Sequence, residues 1–150
     1  MMKFGFIGMG NMGYAMLKGA LNSFSSDEII FTCPSSQRRE YINSETNVAY
    51  AESNAECANN SKYIILAVKP QVYDVVLKNI HEIVSPDNII ISLAPGITID
   101  DLKRKLGNDM RIVRAMPNTP ALVGQGMTGI SHEASEFSLE ERSEIEQFFT

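Results

Sequence analysis

Gly8-Met9-Gly10-Asn11-Met12-Gly13 lies between two segments of different character near the start of the chain. Lys3 to Ile7, before it, form a short run of β-forming side chains, and after it apolar residues recur at helical spacing from Asn11 to Leu21. A strand that passes straight into a helix needs a tight turn, which glycines allow. The segment therefore predicts a β-strand, a glycine turn and an α-helix in direct succession.

The spacing of these glycines is the G-x-G-x-x-G fingerprint of dinucleotide-binding sheets. In such a loop Gly8 makes the turn, Gly10 lets the backbone approach a pyrophosphate, and Gly13 lets the helix pack closely on the strand. The helix N-terminus adds free N–H groups and a partial positive charge that favour phosphate. An ordinary glycine-rich turn is the alternative, but the strand and helix patterns on either side favour dinucleotide binding.

Strand and helix patterns alternate along the rest of the chain. Runs of β-forming residues occupy 28–32, 48–49, 63–68, 88–93, 111–116 and 127–131. Helical patterns or capping signals occupy 37–43, a short segment from 53, 70–83, 98–107 and 138–149, with capping boxes expected at Ser53, Thr98 and Ser138. This alternation predicts the α/β class. We expect one Rossmann-like domain over residues 1–150, with a doubly wound, mostly parallel sheet and helices on both faces.

Two apolar features of the helices lead to further expectations. The helix predicted from Pro70 carries a stripe that we expect to face the sheet, formed by Val72, Val75, Val76, Asn79, Ile80 and Ile83. The last helix ends in Phe148-Phe149-Thr150, and we expect this apolar end to be exposed. Such an end also suggests that the chain is part of a longer protein.

Composition and charge argue against several classes of protein. The 150 residues are 44% apolar and carry a net charge of −5, which argues against nucleic acid as a partner. Cys33 and Cys57 stand far apart without a CxxC or Cys/His cluster, so we expect two reduced thiols and no metal site. No apolar run reaches the ~20 residues of a membrane helix, and the N-terminus lacks the plan of a signal peptide. These features predict a cytoplasmic protein.

The second β-rich run ends in Thr32-Cys33, without an acidic residue at its tip. NAD-binding sheets usually carry an Asp or Glu there, about 20 residues after the glycines, which binds the ribose 2′-hydroxyl. Ser35, Ser36, Arg38 and Arg39 follow instead, and hydroxyls with a guanidinium suit a 2′-phosphate. The pattern favours NADPH, while NADH stays open. The alternative is that both arginines are solvated helix residues.

Three proline-containing segments follow the later strand patterns, at 67–70, 94–96 and 116–120. Ligands of an open parallel sheet bind beyond the carboxyl ends of its strands, so we expect these segments around the cofactor. Lys69 could reach ribose or phosphate oxygens, and the amide of Asn118 suits a carboxamide. A solvated lysine and a plain turn residue are the alternatives at these two positions.

The most specific patterns are the glycine fingerprint and two later segments. These are Ile-Leu-Ala-Val-Lys-Pro-Gln at 65–71 and Arg-Ala-Met-Pro-Asn-Thr-Pro-Ala-Leu-Val-Gly at 114–124. Together they resemble the pyrroline-5-carboxylate reductase family over the whole chain. The resemblance implies an NADPH-dependent enzyme that reduces the cyclic imine of 1-pyrroline-5-carboxylate to L-proline, the last step of proline biosynthesis.

The resemblance also implies roles for the residues that match the family's motifs. The pyrophosphate would be held by Gly8, Met9, Gly10, Asn11 and Met12. Ser35 and Ser36 would lie near the 2′-phosphate, where the charge of Arg38 adds to the prediction, and Asn54 would contact the nucleotide ribose. The path from adenosine to nicotinamide would be lined by Ala67, Val68, Lys69, Pro70, Ala94, Gly96 and, at the nicotinamide end, Asn118.

Members of the resembled family continue with an all-helical domain of comparable size. That domain forms the homo-oligomer, binds the substrate carboxylate and carries the hydroxyl residue proposed for catalysis. We expect it to be absent from residues 1–150, which then contain no catalytic residue and bind cofactor without turning over substrate. Two alternatives stay open: an oxidoreductase of the β-hydroxyacid dehydrogenase type, and a non-catalytic NADP-binding module.

Overall fold

The computed structural model describes residues 1–94, 96–117, 127–131 and 137–149. Its strands are β1 (Met2–Ile7), β2 (Ile29–Thr32), β3 (Ala49–Tyr50), β4 (Ser61–Leu66), β5 (Ile89–Ser92), β6 (Arg111–Pro117) and β7 (Met127–Ser131). Its α-helices are α1 (Asn11–Ala20), α2 (Ser36–Thr46), α3 (Asn54–Asn59), α4 (Tyr73–Ile80), α5 (Ile99–Leu106) and α6 (Leu139–Phe148). Short 3-10 helices at Ser26–Glu28 and Pro70–Val72 precede β2 and α4. None of these helices is both long and apolar enough to cross a membrane.

The strands form one seven-stranded sheet in the order β3-β2-β1-β4-β5-β6-β7. Neighbouring strands are parallel from β3 to β6, and β7 runs antiparallel to β6. The chain builds the sheet outward from β1 to β3, then crosses back to β4 and continues outward to β7. The predicted Rossmann-like, doubly wound and mostly parallel sheet is confirmed.

Successive side chains of the central strands enter two separate cores, one on each face of the sheet. On one face Phe4, Phe6 and Tyr63 pack with residues of α1, α2 and α6. On the other face Ile64 and Leu66 pack with residues of α3, α4 and α5. Because both faces are covered by helices, β4 is apolar from Tyr63 to Leu66 without the alternation that a half-exposed strand would show.

Side-chain caps begin four of the helices. The hydroxyl of each capping residue accepts a hydrogen bond from the backbone N–H three positions later, at Ser35, Ser53, Thr98 and Ser138. The capping boxes predicted at Thr98 and Ser138 are confirmed. The box predicted at Ser53 is incomplete, because the carboxylate of Glu56 accepts from the N–H of Glu52 instead.

The face that α4 turns to the sheet differs from the predicted stripe. Its buried residues are Tyr73, Val76, Leu77 and Ile80. Val72, Val75 and Ile83 of the predicted stripe are exposed by 39%, 61% and 39%. Val76 and Ile80 belong to both faces, but the prediction left out Tyr73 and Leu77, which share the same helical spacing, so the buried face is rotated from the predicted one.

The apolar end of α6 belongs to the core, so the expectation that it would be exposed was wrong. Phe148 and Phe149 are only 7% and 8% exposed. The ring of Phe148 stacks on Phe4 with 4.7 Å between centroids and lies 5.8 Å from the ring of Phe6. The last helix thereby completes the aromatic core on one face of the sheet.

Ion pairs fasten α6 to the amino ends of the strands. Glu141 is 8% exposed, and its carboxylate contacts Arg111 at 2.6 Å and Lys62 at 3.3 Å. Burial alone would raise the pKa of the Glu141 carboxyl, but the Arg111 guanidinium and the Ser138 N–H outweigh burial and lower the pKa to about 2. The ionised carboxylate is therefore stabilised by folding.

We expect Glu141→Gln to lower the free energy of unfolding at pH 7 by about 2 kcal/mol, because it removes charge-assisted hydrogen bonds from a buried position. The pKa of Glu141 falls from an ordinary 4.5 to about 2 on folding. Its stabilising contribution is therefore present above about pH 4.5 and is lost as the pH falls toward 2. Urea unfolding at pH 7 and pH 3 should show the difference between wild type and variant shrinking with acid.

The matched control for this experiment is Glu140→Gln, which removes one exposed carboxylate from the same helical turn. We expect a change of no more than about 0.5 kcal/mol at either pH, since surface substitutions of this kind have small effects. An equal loss in both variants at pH 7 would contradict the role assigned to the Glu141 ion pairs.

Candidate functional site

The carboxyl ends of the parallel strands meet at one edge of the sheet. The register places Thr32, Ile7, Leu66, Ser92 and Arg114 side by side on β2, β1, β4, β5 and β6. The loops that leave β1 and β4 diverge, because the strand order reverses between these two strands. In open α/β sheets this divergence forms the crevice in which ligands bind.

Gly8, the first residue after β1, has a backbone conformation and a close packing that other residues would not tolerate. Its φ of +99° lies in the left-handed region, and its N–H donates to the Thr32 carbonyl at 3.0 Å. A Cβ on Gly8 would lie 2.7 Å from the Ala67 carbonyl oxygen and 2.6 Å from Cγ1 of Val68. The fold itself therefore requires glycine at position 8, and it places Ala67 and Val68 directly against the loop.

The other two glycines of the fingerprint, Gly13 and Gly10, differ in how closely the protein packs around them. A Cβ on Gly13 would lie 2.8 Å from the Gly8 carbonyl oxygen, so glycine is needed for α1 to pack on the loop. Gly10 is exposed, has an ordinary φ of −75°, and a Cβ there would meet no atom of the described residues within 4 Å. Neither packing nor backbone conformation in the described part of the chain requires a glycine at position 10, whereas a ligand lying against the backbone does.

The N-terminus of α1 is open to an anion. Its N-cap is Gly10, which has no side chain to act as a cap, and its first turn contains no acidic residue. The N–H of Tyr14 donates to the Gly10 carbonyl at 2.9 Å, so the N–H groups of Asn11 and Met12 precede the first full helical hydrogen bond. These groups and the helix dipole favour a phosphate at this position.

The start of α2 lies beside the glycine loop. Nε of Arg38 donates to the carbonyl of Met9 at 2.9 Å, which joins the two segments across 29 positions of sequence. Ser35 caps α2 by accepting from the Arg38 N–H at 3.1 Å, and both Ser35 and Ser36 are exposed. The structure thus places the Arg38 guanidinium against the loop, with Ser35 and Ser36 exposed at the start of the same helix, and their role toward a 2′-phosphate stays a prediction.

Arg39 contacts the protein in a different way. Its Nη1 donates to the Cys33 carbonyl at 2.6 Å, and its guanidinium carbon lies 5.7 Å from the centre of the Tyr50 ring. Arg39 therefore braces the link between β2 and α2. The alternative that both arginines are simply solvated does not hold, because each is bound to a backbone carbonyl.

Both cysteines are buried and unpaired, as expected from their spacing. Burial raises the pKa of the Cys57 thiol to about 12 and also raises that of Cys33. Neither thiol is therefore activated as a nucleophile. Within the described ranges, His, Cys, Asp and Glu side chains form no group of three or more that could hold a metal ion.

The segments after β4 and β5 reach the same edge. Lys69 is exposed and precedes the 3-10 helix that begins at Pro70, which stands at its first position. Ala94 is buried after β5, and a Cβ on Gly96 would meet no described atom within 4 Å. Gly96 therefore resembles Gly10 in having free space over its α-carbon.

A buried hydroxyl pair that the sequence analysis missed holds these segments in place. The hydroxyl of Tyr73 donates to the Leu66 carbonyl at 3.2 Å and lies 2.9 Å from Oγ of Ser92. Both side chains are buried, and burial raises the pKa of Tyr73, so its phenol stays neutral. A serine that closes the apolar run of β5 was the available signal, since a buried hydroxyl needs a partner.

Two predicted residues are not brought to the glycine loop by a described contact. Asn54 is the first residue of α3, and its Nδ2 donates to Oδ1 of Asn79 in α4 at 3.1 Å. Asn118 lies outside the described residues, and so does Pro95 in the segment after β5. The roles predicted for Asn54 and Asn118 stay predictions.

Comparison with known proteins identifies the family. A family model described as "NADP oxidoreductase coenzyme F420-dependent" matches residues 3–96, which include the glycine loop, the start of α2 and the ends of β4 and β5. The chain belongs to this family. The NADP cofactor expected from the sequence agrees with the family description.

The similarity to pyrroline-5-carboxylate reductases expected from the sequence is also confirmed. The reductase of Escherichia coli is 41% identical over 134 residues, covering 88% of this chain and 50% of the relative. That of Haemophilus influenzae is 37% identical over 126 residues, covering 83% and 46%. The chain spans about half the length of the curated relatives it matches.

Solved structures of pyrroline-5-carboxylate reductases are also similar to this chain. The pyrroline-5-carboxylate reductase of Coxiella burnetii has a TM-score of 0.89 at 30% identity and covers 99% of this chain and 55% of its own. The Plasmodium falciparum pyrroline carboxylate reductase, solved with NADP bound, has a TM-score of 0.83 at 30% identity and covers 99% and 54%. A prephenate dehydrogenase at 14% identity and a TM-score of 0.77 shares the fold alone.

Gly8 and Gly10 should respond differently to an added methyl group. We expect Gly8→Ala to lower the free energy of unfolding by about 3 kcal/mol or more, because it combines a left-handed φ with contacts below 3 Å. Gly10→Ala should cost less than about 1 kcal/mol, since the added methyl meets free space and only the N-cap preference changes. Urea unfolding of both variants checks the contrast, which equal losses would contradict.

Proposed function

We propose that these residues are the NADPH-binding half of a pyrroline-5-carboxylate reductase, the enzyme that reduces 1-pyrroline-5-carboxylate to L-proline. The relatives that carry this name match the chain at 30–41% identity over most of its length. NADPH is the preferred cofactor in this proposal, and NADH is the second candidate.

The observation that carries the proposal is Gly10, a glycine for which the described residues give no reason. A Cβ added to it would meet no described atom within 4 Å, and it stands at the N-terminus of an uncapped helix where the strand order reverses. A pyrophosphate satisfies all three features, because it needs close backbone contact, free N–H groups and a crevice between strands. The residues present therefore fit a dinucleotide.

In this proposal each group at the edge has a stated task. Gly8, Met9, Gly10, Asn11 and Met12 hold the pyrophosphate, with the N–H groups of α1 as donors. Ser35, Ser36 and Arg38 bind the 2′-phosphate, and Asn54 contacts the ribose. The path toward the nicotinamide is lined by Ala67, Val68, Lys69, Pro70, Ala94, Gly96 and Asn118.

The bound dinucleotide supplies a hydride to the imine carbon of the substrate. The groups that bind the substrate carboxylate and protonate the imine nitrogen belong, in our proposal, to an all-helical domain that residues 1–150 do not include. That domain also forms the homo-oligomer. The proposed partners are thus a small cyclic imino acid and further copies of the enzyme, in the cytoplasm.

Titration with the two dinucleotides tests the cofactor assignment. We expect the protein to bind NADPH more tightly than NADH, because only NADPH carries the phosphate that Arg38 and the α2 N-terminus attract. Gly10→Ala should weaken both by about tenfold or more while the protein stays folded, since its methyl occupies the space of the pyrophosphate.

Fluorescence titration and circular dichroism of the same samples provide the measurement. Glu140→Gln is the control, because Glu140 lines a cavity with Met2 and Lys3 at the opposite edge of the sheet. Unchanged affinity in Gly10→Ala would remove the main support for the site. Tighter binding of NADH than NADPH would overturn the 2′-phosphate assignment alone.

A turnover assay tests whether the substrate-binding groups lie outside residues 1–150. With NADPH and 1-pyrroline-5-carboxylate, we expect the 150-residue chain to form no measurable proline, because the substrate-binding groups lie in the other domain. The measurement is proline formation by mass spectrometry, with an intact reductase as the positive control. Proline formation above the rate without protein would show that the substrate groups lie within these residues.

A further inference from the structure

Tyr14 lies at the point where the glycine loop, α1 and α2 meet, and neither the sequence motifs nor the proposed function uses it. Its side chain is half-buried on the first turns of α1 and packs against the core on that face. The guanidinium carbon of Arg38 lies 5.3 Å from the centre of the Tyr14 ring, within the range of a cation–π contact. Nζ of Lys18 lies 4.5 Å from the same ring.

Arg38 is held at two points before any ligand arrives. Nε donates to the Met9 carbonyl at 2.9 Å, and the guanidinium lies against Tyr14. Its two terminal nitrogens have no hydrogen-bond or ion-pair partner among the described residues. A long side chain that is held at Nε and against an aromatic ring, with terminal donors that have no partner among the described residues, is arranged to bind an anion with little further loss of entropy.

The two contacts fix different degrees of freedom. The hydrogen bond to Met9 holds Nε near the glycine loop but leaves the plane of the guanidinium free to rotate about that bond. The ring of Tyr14 restricts that rotation, because a cation near the ring is attracted to its electron-rich face. The direction of the terminal donors therefore depends on Tyr14.

The charge of the surroundings supports an anionic ligand here. The protein as a whole carries a net charge of −5, yet the Arg38 guanidinium lies near the Tyr14 ring and contacts the glycine loop that leads to the uncapped N-terminus of α1. The guanidinium and the helix N-terminus both favour a phosphate at this position.

We propose that Tyr14 is a positioning residue for cofactor choice: its ring orients the Arg38 guanidinium toward the 2′-phosphate, so it favours NADPH over NADH without touching either. The proposal rests on the proposed function, because it assumes that the dinucleotide lies on the glycine loop. NADH lacks the 2′-phosphate, so its affinity does not depend on the direction of Arg38.

The test is a set of variants titrated with NADPH and, separately, with NADH. Tyr14→Leu removes the aromatic face, and we expect NADPH affinity to fall about three- to tenfold, the size of one cation–π contact, with NADH affinity unchanged. Tyr14→Phe keeps the ring and should restore the preference for NADPH. In a protein that already carries Arg38→Gln, Tyr14→Leu should cause no further loss of NADPH affinity.

Tyr41→Leu is the matched control. The ring of Tyr41 also contacts Tyr14, at 6.3 Å between centroids, but it is half-exposed on α2. Removing it should leave the ratio of NADPH to NADH affinity unchanged. A change as large as that of Tyr14→Leu would mean that packing between α1 and α2 sets the ratio, which would overturn the proposal.

Two further outcomes would overturn the role of Tyr14. An equal loss of NADPH and NADH affinity in Tyr14→Leu would show a structural role, and an unchanged NADPH affinity would show no role. Failure of the proposed function is seen separately, in the wild-type protein: if it binds neither dinucleotide, the site itself is absent. Retained NADPH preference in Tyr14→Leu, by contrast, leaves the proposed function intact.

Discussion

The contact of the Gly8 loop with the end of β4 is the constraint on which the rest of the molecule depends. β1 and β4 are the two strands between which the chain reverses its direction of growth, and Gly8 crosses directly over Ala67 and Val68 there. A hydrogen bond from the Ala67 N–H to the Ile7 carbonyl, at 2.8 Å, extends the pairing to the end of the strands. A side chain at position 8 would push the two strands apart, and with them both halves of the sheet.

The glycines of the loop serve two different purposes, folding and ligand binding. Gly8 and Gly13 are needed by backbone conformation and by packing, whereas Gly10 stands in open space. The amino edge of the sheet is joined to α6 by ion pairs, including those of Glu141. Among the residues that the structure describes, the carboxyl edge keeps N–H groups and guanidinium donors without a partner, which is why we propose the function there.

Local signals predicted most of the fold correctly. Caps such as Thr98 and Ser138 act within one turn of helix, so the sequence contains both partners of each hydrogen bond. The apolar run of β4 likewise reports burial on both faces. The buried face of α4 was predicted only in part, because two helical faces share Val76 and Ile80 and periodicity along the chain does not choose between them. The burial of Phe148 was missed because it depends on the ring of Phe4 in β1. Asn54 was assigned by resemblance, and its described contact is with Asn79.

The sequence by itself determined the order of strands and helices, the glycine loop and the type of side chain that follows β2. It did so because turns, caps and strand burial are encoded over a few neighbouring positions. Only the tertiary structure decided that Arg38 donates to the Met9 carbonyl, whereas Arg39 donates to the Cys33 carbonyl. It also decided that the Tyr14 ring lies near the Arg38 guanidinium and that Tyr73 links β4 to β5. These contacts join residues from different elements, so their distances depend on how the elements pack. Periodicity along the chain carries no information about that packing.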